Sequence, residues 1–583
     1  AAIGNGATVK SQGDLAVTAD NETVAVMVSG GIGAAKEAGV GAAIAANVMA
    51  NKTLASIGDD AVVDAAKQMT VAADADENAV SVTVAGAGGG KVGVAGAISM
   101  NVILSDTEAS VGQGAKLNTD AAWAPITGSS NQSVAITAHD DTVVVGVGGG
   151  VAGAGKVGVG AAADTTVLVK TVKAFIADDA DGANVATVKA AKSVNVEATS
   201  TESIVSGTLG FGGGGTVGVG GAVGVIVDKN DVQARIGKAA SVDSDGNVKV
   251  NAEDDITAVL VAGGGAGGGN TGVGGSIGVA TLLGSTKASI GDDAVVNARG
   301  NRDAMTTFSG ETVFSDTNTK PTGFLAKKTE SAKGLAVTAY NRENLVTTVI
   351  GGAGGGTAGV AATVSAGVIA TTTEASIGQG ARINETNTAA SADQQVRVKA
   401  VDETLLIDAA GAGAGGGSAG VGAAANVGVI AKTTTAKIGK KTTVKAKKAV
   451  ELDAASSDVS VAVTFGAAGG GSAGVGGSVA GVGVANTTQA VIEDATSAAD
   501  AAKVSVSGGN LEVSANEFSS AWQATGAGAG GGAAGVGVSL AVGVNASTTK
   551  AKIGDYAETN ASGTTSVHAD SVENLNTVTV AGA

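Results

Sequence analysis

The chain has no cysteine and, in 583 residues, only 2 prolines, 2 histidines and 2% aromatic residues. Each shortage removes a class of answers. Without Cys there is no disulfide framework and no thiolate nucleophile, and two histidines cannot build a His/Cys zinc cluster. Scarce Pro, with no Gly at every third position, excludes collagen. Basic residues are outnumbered 36 to 53, for a net charge of −17. Nucleic acid needs a basic footprint and anionic lipid a polybasic one, so neither is expected as a partner. Helical periodicity is missing as well. Residues 207–227 carry no charge and are long enough to cross a bilayer, but their apolar period is 2 and Gly212 to Gly215 would interrupt a helix. No charged-then-apolar leader opens the chain and neither end carries an atypical capping repeat, so a slice of a longer protein is expected.

What is present is glycine (95 residues), a 44% hydrophobic content that excludes disorder, and a recurring string. Ala-x-Ile-Gly begins at Ala55, Ala234, Ala288, Ala375, Ala436 and Ala551, with looser copies at Ala1, Ala109, Ala174 and Ala490. Four of the nine intervals are 54 residues and the others are longer. A fixed period of this size marks stacked repeats rather than separate domains. Residues 1–583 are therefore expected to form one continuous array of about ten 54-residue units.

Within residues 55–108, a short strand, a Gly-Asp turn and a second short strand precede Met69-Thr-Val-Ala-Ala, a Val-x-Val-x-Ala segment found again at Val248, Val396 and Leu511. Two longer alternating runs follow, broken by Gly88 to Gly90. In the second, Val92, Val94, Ile98, Met100 and Val102 share one face, and the other holds only small residues from Gly93 to Asn101. Period-2 alternation bounded by Gly and Asp is the strand signature. A face of Gly, Ala and Ser suits close approach of another backbone, so it either lines a very thin core or forms a lateral contact between fibres; the thin core is favoured. The expected fold is all-β, an elongated parallel β-helix or β-solenoid. Two or three coils per unit at about 4.8 Å each would give a rod on the order of 100–140 Å long. The alternative is a hairpin of the two longer strands with the Gly run as its turn.

The lengthened units hold both prolines, Pro125 and Pro321, and the largest insertion, about 299–334, holds Phe308, Phe314 and Phe324. Insertions on solenoids emerge as loops, often on the binding face. These three rings and Trp123 are the candidate ligand or contact residues, set against a plainer role of pinning loops onto the solenoid. No catalytic or cofactor-binding residues are expected. His139 and His568 lie in ordinary strand segments more than 400 residues apart. Asp59, Asp60, Asp292 and Asp293 read as solvated turn residues. Asp243, Asp245 and Asn247 resemble part of a calcium loop that lacks its downstream Glu, as does the acidic run at Asp178, so no metal site is expected. No cofactor is expected.

The combination of Thr-x-Ala-x-Ile-Gly (286–291), Val-x-Val-x-Ala and Gly-Gly-Gly-x-x-Gly-Val-Gly over nearly the whole chain resembles the passenger repeats of large bacterial exoproteins. These are the filamentous-haemagglutinin and leukotoxin-like families, exported by two-partner secretion or as autotransporters. The resemblance implies a right-handed β-helix at the extracellular face of a Gram-negative cell, serving adhesion, aggregation or biofilm formation or, for leukotoxins, cell killing. The leading expectation is a non-enzymatic adhesin-like surface fibre or stalk with lateral or end-to-end self-association and an unspecified host or neighbouring-cell receptor. The alternatives are a secreted pore-forming toxin, the one case with membrane contact, and a β-helix polysaccharide-active enzyme.

Overall fold

The computed structural model describes residues 1–120, 131–179, 182–312, 327–386 and 389–583. They form a parallel β-solenoid built from three sheets. A front sheet is made of strands of 20 residues such as Val92–Val111, and a back sheet of strands of 22 residues such as Ser133–Ala154. A narrow sheet of strands of four residues or fewer, such as Ser241–Ser244, closes one edge.

Each repeat makes one coil, not two or three. Ala55 pairs in register with Ala109, Ala109 with Ala174, Ala174 with Ala234, and so on to Ala551. The difference arises because the two longer runs are far longer than their glycines suggest: each continues through polar residues into the neighbouring motif as one strand. They are not hydrogen-bonded to each other as a hairpin either. Gln68–Gly89 belongs to the back sheet and Val92–Val111 to the front sheet, so Gly90 and Lys91 turn the chain from one sheet onto the face of the other. Ten coils at about 4.8 Å span roughly 48 Å along the axis, whereas a 20-residue strand runs about 66 Å across it. The described chain is thus a broad slab rather than a long rod.

The recurring motif explains one edge of the slab. Ala and Ile of Ala-x-Ile-Gly point inward and are fully buried, at Ala234 and Ile236 for example, against Val242 of the narrow sheet and Val248, Val250 and Ala252 of the back sheet. This triangular core is the thick edge. The Gly sits where the coils stack most closely: a side chain on Gly291 would lie 2.5 Å from the backbone N of Lys238 in the coil below. The third residue after Ile adopts a left-handed conformation, with φ of 55° at Asp60 and 58° at Asp293. The residue before it ties coils together, since Asp59 Oδ1 accepts the Gln113 N–H at 2.9 Å and Asp292 Oδ1 the Gln379 N–H at 2.8 Å. Both acids of each pair are therefore turn residues, and the carboxylate of the first caps the next coil.

Away from this edge the slab tapers. A column of buried polar residues comes next, then a second apolar strip containing Leu168, Ile204 and Leu282. Beyond it lies a second buried polar layer that includes Asn101, Asp164 and Asp408, and past that layer mainly small residues face inward and the sheets close to backbone contact. A methyl added to Gly212 would overlap the carbonyl of Val219 on the opposite sheet, and one on Gly150 that of Ala161. The small face lines a thin core, as favoured from sequence, and its glycines are needed because there is no room for Cβ. Burying that face turns the alternating Val and Ile residues outward.

Candidate interaction surface

The outward face of the front sheet follows from this inversion. Counting from the start of each strand, its outward side chains over the first thirteen positions are Val92, Val94, Gly96, Ile98, Met100, Val102 and Leu104 in one coil and Thr271, Val273, Gly275, Ile277, Val279, Thr281 and Leu283 in another. Across nine coils this band carries one outward charge, Lys229. Ile44 is 66% exposed, Ile98 49% and Ile277 45%. Charges resume only toward the thick edge, at Lys52, Asp106, Glu108 and Lys173. The back sheet repeats the arrangement: its outward positions from Val80, Val143 or Val205 to the Gly turn are uncharged.

Small residues at the fifth position (Ala42, Gly96, Ala161, Gly221, Gly275 and Ala362) stack into a trough that runs along the solenoid axis, with a volume of about 770 Å³. Its wall is the seventh position, where Ile44, Ile98, Val223, Ile277 and Val364 form a ridge that dips at Ala163. The turns that join the back sheet to the front sheet stay short in every coil, as at Gly90–Lys91 and Gly417–Ser418. All longer excursions leave from the thick edge, so no described part of the chain covers the trough.

The sequence candidates lie elsewhere. Phe308 belongs to a short antiparallel pair, Met305–Phe308 with Thr329–Ala332, that folds over the thick part of the back sheet. Its ring stacks on Tyr340 at 4.7 Å between centroids and is buried with Val401 and Ala455. Phe308 is thus a pin packed against the back sheet, the plainer of the two roles weighed for it. Phe314, Phe324 and Trp123 lie outside the described residues. The basic groups beside the pin are occupied: Lys399 pairs with Glu451 at 2.8 Å and Asp453 at 3.0 Å, and Arg397 with Glu451 and Glu330. The calcium-like residues do not converge. Asp243 pairs with Arg299 and Asp245 with Arg302, each at 2.8 Å, and the Asn247 side chain donates to the Asp303 carbonyl. Among the described residues no three His, Asp or Glu side chains are grouped to hold a metal. His139 faces outward beside Asp141, and His568 contacts Ser514 one coil away.

Sequence reasoning missed the buried polar column. Lys170 is fully buried and bridges two coils, 2.6 Å from both Asp140 and Glu202. Lys432 repeats this with Asp402 at 2.7 Å and Asp458 at 2.6 Å. Hydroxyls and amides link the column further: Ser105 donates to Asp140 at 2.7 Å, Thr404 to Glu343 at 2.7 Å and Thr549 to Glu517 at 2.7 Å. Burial alone would neutralise Lys170, but Glu202 and Asp140 outweigh it and hold the ammonium charged. Asp228 and Asp254, also fully buried, exceed the available positive charge. Burial, and then Glu202, push both well above the usual carboxylate range. Burial and Asp402 do the same to Glu343. Burial lifts Asp453 to about 6 against the pull of Lys399.

These shifts have a sign. A carboxylate with a raised folded pKa holds a proton that the unfolded chain releases from about pH 4 upward, so stability falls as pH rises from there through the folded value. Asp140, which Lys170 holds below its usual range despite burial, works the other way only under pH 4. The raised lysines matter only at alkaline pH. Thermal unfolding at pH 5 should therefore occur several degrees higher than at pH 8. An equal or lower midpoint at pH 5 would contradict the column being protonated.

Set against known proteins, the chain matches no family model, no curated protein and no solved structure. No helix among the described residues is long and apolar enough to cross a membrane.

Proposed function

We propose that this chain is a non-enzymatic structural and adhesive fibre segment of a cell exterior, which associates laterally through the uncharged faces that each coil repeats. The cell-exterior setting rests on the likeness of its repeats to exoprotein passengers. The observation that carries the reading is the front face. Soluble monomers rarely expose an apolar patch beyond about 300–600 Å². Thirteen positions on nine strands cover roughly 1,800 Å² at ordinary strand spacings. A flat, repeated and uncharged face of that size suits a scaffold better than a reaction site, and the charged groups nearest to an enzyme-like cluster, Arg397 and Lys399, are consumed by ion pairs to Glu330, Glu451 and Asp453.

Entry into a target membrane is the second reading, favoured by one observation: both outer faces of the thin half are uncharged over about 40 Å, wider than the roughly 30 Å of a hydrocarbon core. Sedimentation velocity over a concentration series, with electron microscopy of the same samples, tests the choice. Growing species and side-by-side bundles are expected. A monodisperse monomer at every concentration, together with leakage of dye from liposomes, would replace the fibre by the toxin.

A further inference from the structure

We propose that two copies of this chain pair through the thin halves of their front sheets, face to face about a two-fold axis parallel to the solenoid axis, with the ridge of each copy seated in the trough of the other. The inference rests on the self-association reading and names the surface and geometry that it uses.

Three observations converge on this occupant. The first is area. With the axis between the fifth and seventh positions, positions 1 to 11 of one copy lie over positions 11 to 1 of the other. Over nine coils that overlap is on the order of 1,500 Å² per copy, against about 800 Å² per partner in a standard stable interface. The second is shape. The trough at Gly221 and Gly275 and the ridge at Val223 and Ile277 are neighbouring lines on one sheet, so a two-fold exchanges them and each partner supplies what the other lacks. Both lines advance by the same strand spacing, so knobs and gaps stay in step from coil to coil, as in a steric zipper. The third is charge. The chain carries −17 overall, yet the overlapped band holds none of it, since Lys229 lies at position 13. The proposed axis sends the two acidic thick edges to opposite sides of the pair. An axis along the strands would instead stack them on one another and raise their repulsion.

The absence of cysteine supplies a clean readout. In the otherwise full chain, Gly221→Cys mixed with Val223→Cys should give disulfide-linked mixed dimers on mild oxidation, because the axis seats position 5 of one copy against position 7 of the other, and Val143→Cys, on the outward face of the back sheet, should not. Val223→Lys combined with Ile277→Lys places unpaired charge at the centre of the contact and should weaken association at least about a hundredfold, with an unchanged circular dichroism spectrum because both side chains point outward. Val143→Lys should leave association intact. If the wild type associates but the front-face lysines have no effect, or Val143→Lys abolishes association, the pairing is wrong and the self-association reading stands. If the wild type stays monomeric and floats with phosphatidylcholine vesicles, both fall and the face belongs to lipid.

Discussion

Lys170→Ala should cost about 3–5 kcal/mol at pH 8, because removing one partner of a buried ion pair strands the other. Here it strands two: Asp140 and Glu202 both lie 2.6 Å from the ammonium, and all three side chains are sealed from water. Asp228 and Asp254 already crowd the same stretch with acid, so no neighbouring cation takes over. Acidification should rescue the variant, since the orphaned carboxylates can take up protons. The penalty should fall by half or more at pH 5. Denaturant midpoints at the two pH values measure it, and amide exchange should localise the loss to 133–176 and 193–236. The triple change Lys170→Met, Asp140→Asn and Glu202→Gln removes the charges together and should recover most of the stability, because an uncharged interior of similar volume needs no compensation. A cost under about 1 kcal/mol at pH 8, or one that does not vary with pH, would mean that the column is solvated rather than sealed.

Much of this was legible from sequence, and the rest was hidden for physical reasons. The repeat spacing, the strand character of Val-x-Val-x-Ala and the turn at Ile-Gly all follow from local chemistry, and the registers of the sheets follow the motif intervals, 54 residues from Ala55 to Ala109 and 60 from Ala174 to Ala234. The number of coils did not follow. Gly-Gly-Gly and polar residues inside a strand look like breaks when each strand is judged alone, whereas here they mark where opposing sheets approach or where polar groups satisfy one another across the interior. The buried lysine did leave a trace. Counting by two from Ala174, whose motif position is buried, gives Val172, Lys170, Leu168, Thr166 and Asp164, all of one parity and all facing inward. Strand alternation normally assigns charge to the solvent face, and that habit hid Lys170, Asp228 and Lys432. The same parity count would have turned Val94, Ile98 and Met100 outward and exposed the apolar face before any coordinates.

Adjacent glycines should respond in opposite ways to the same substitution, which isolates why the chain holds so many. Gly220 faces inward, where an added methyl would overlap the carbonyl of Gly265 and lie 2.8 Å from that of Gly210. Gly221 faces the trough, and its methyl would meet only the Gly275 carbonyl at 3.7 Å, an ordinary contact. Both sit in one extended strand, Val217–Ile236, so their backbone requirements are alike. Gly220→Ala must push two backbones apart over neighbouring coils, and overpacking of this kind costs about 3 kcal/mol when the obstacle cannot rotate away. Gly221→Ala should stay within about 0.5 kcal/mol of the wild type, because its methyl enters the open trough. Thermal melts and amide exchange across 205–224 and 258–278 report the difference. Equal effects at the two positions would mean that these glycines serve backbone entropy or turn formation. Unequal effects would tie their abundance to the separation of the sheets: a core one backbone thick leaves the larger side chains nowhere to go but outward, onto the face proposed to pair.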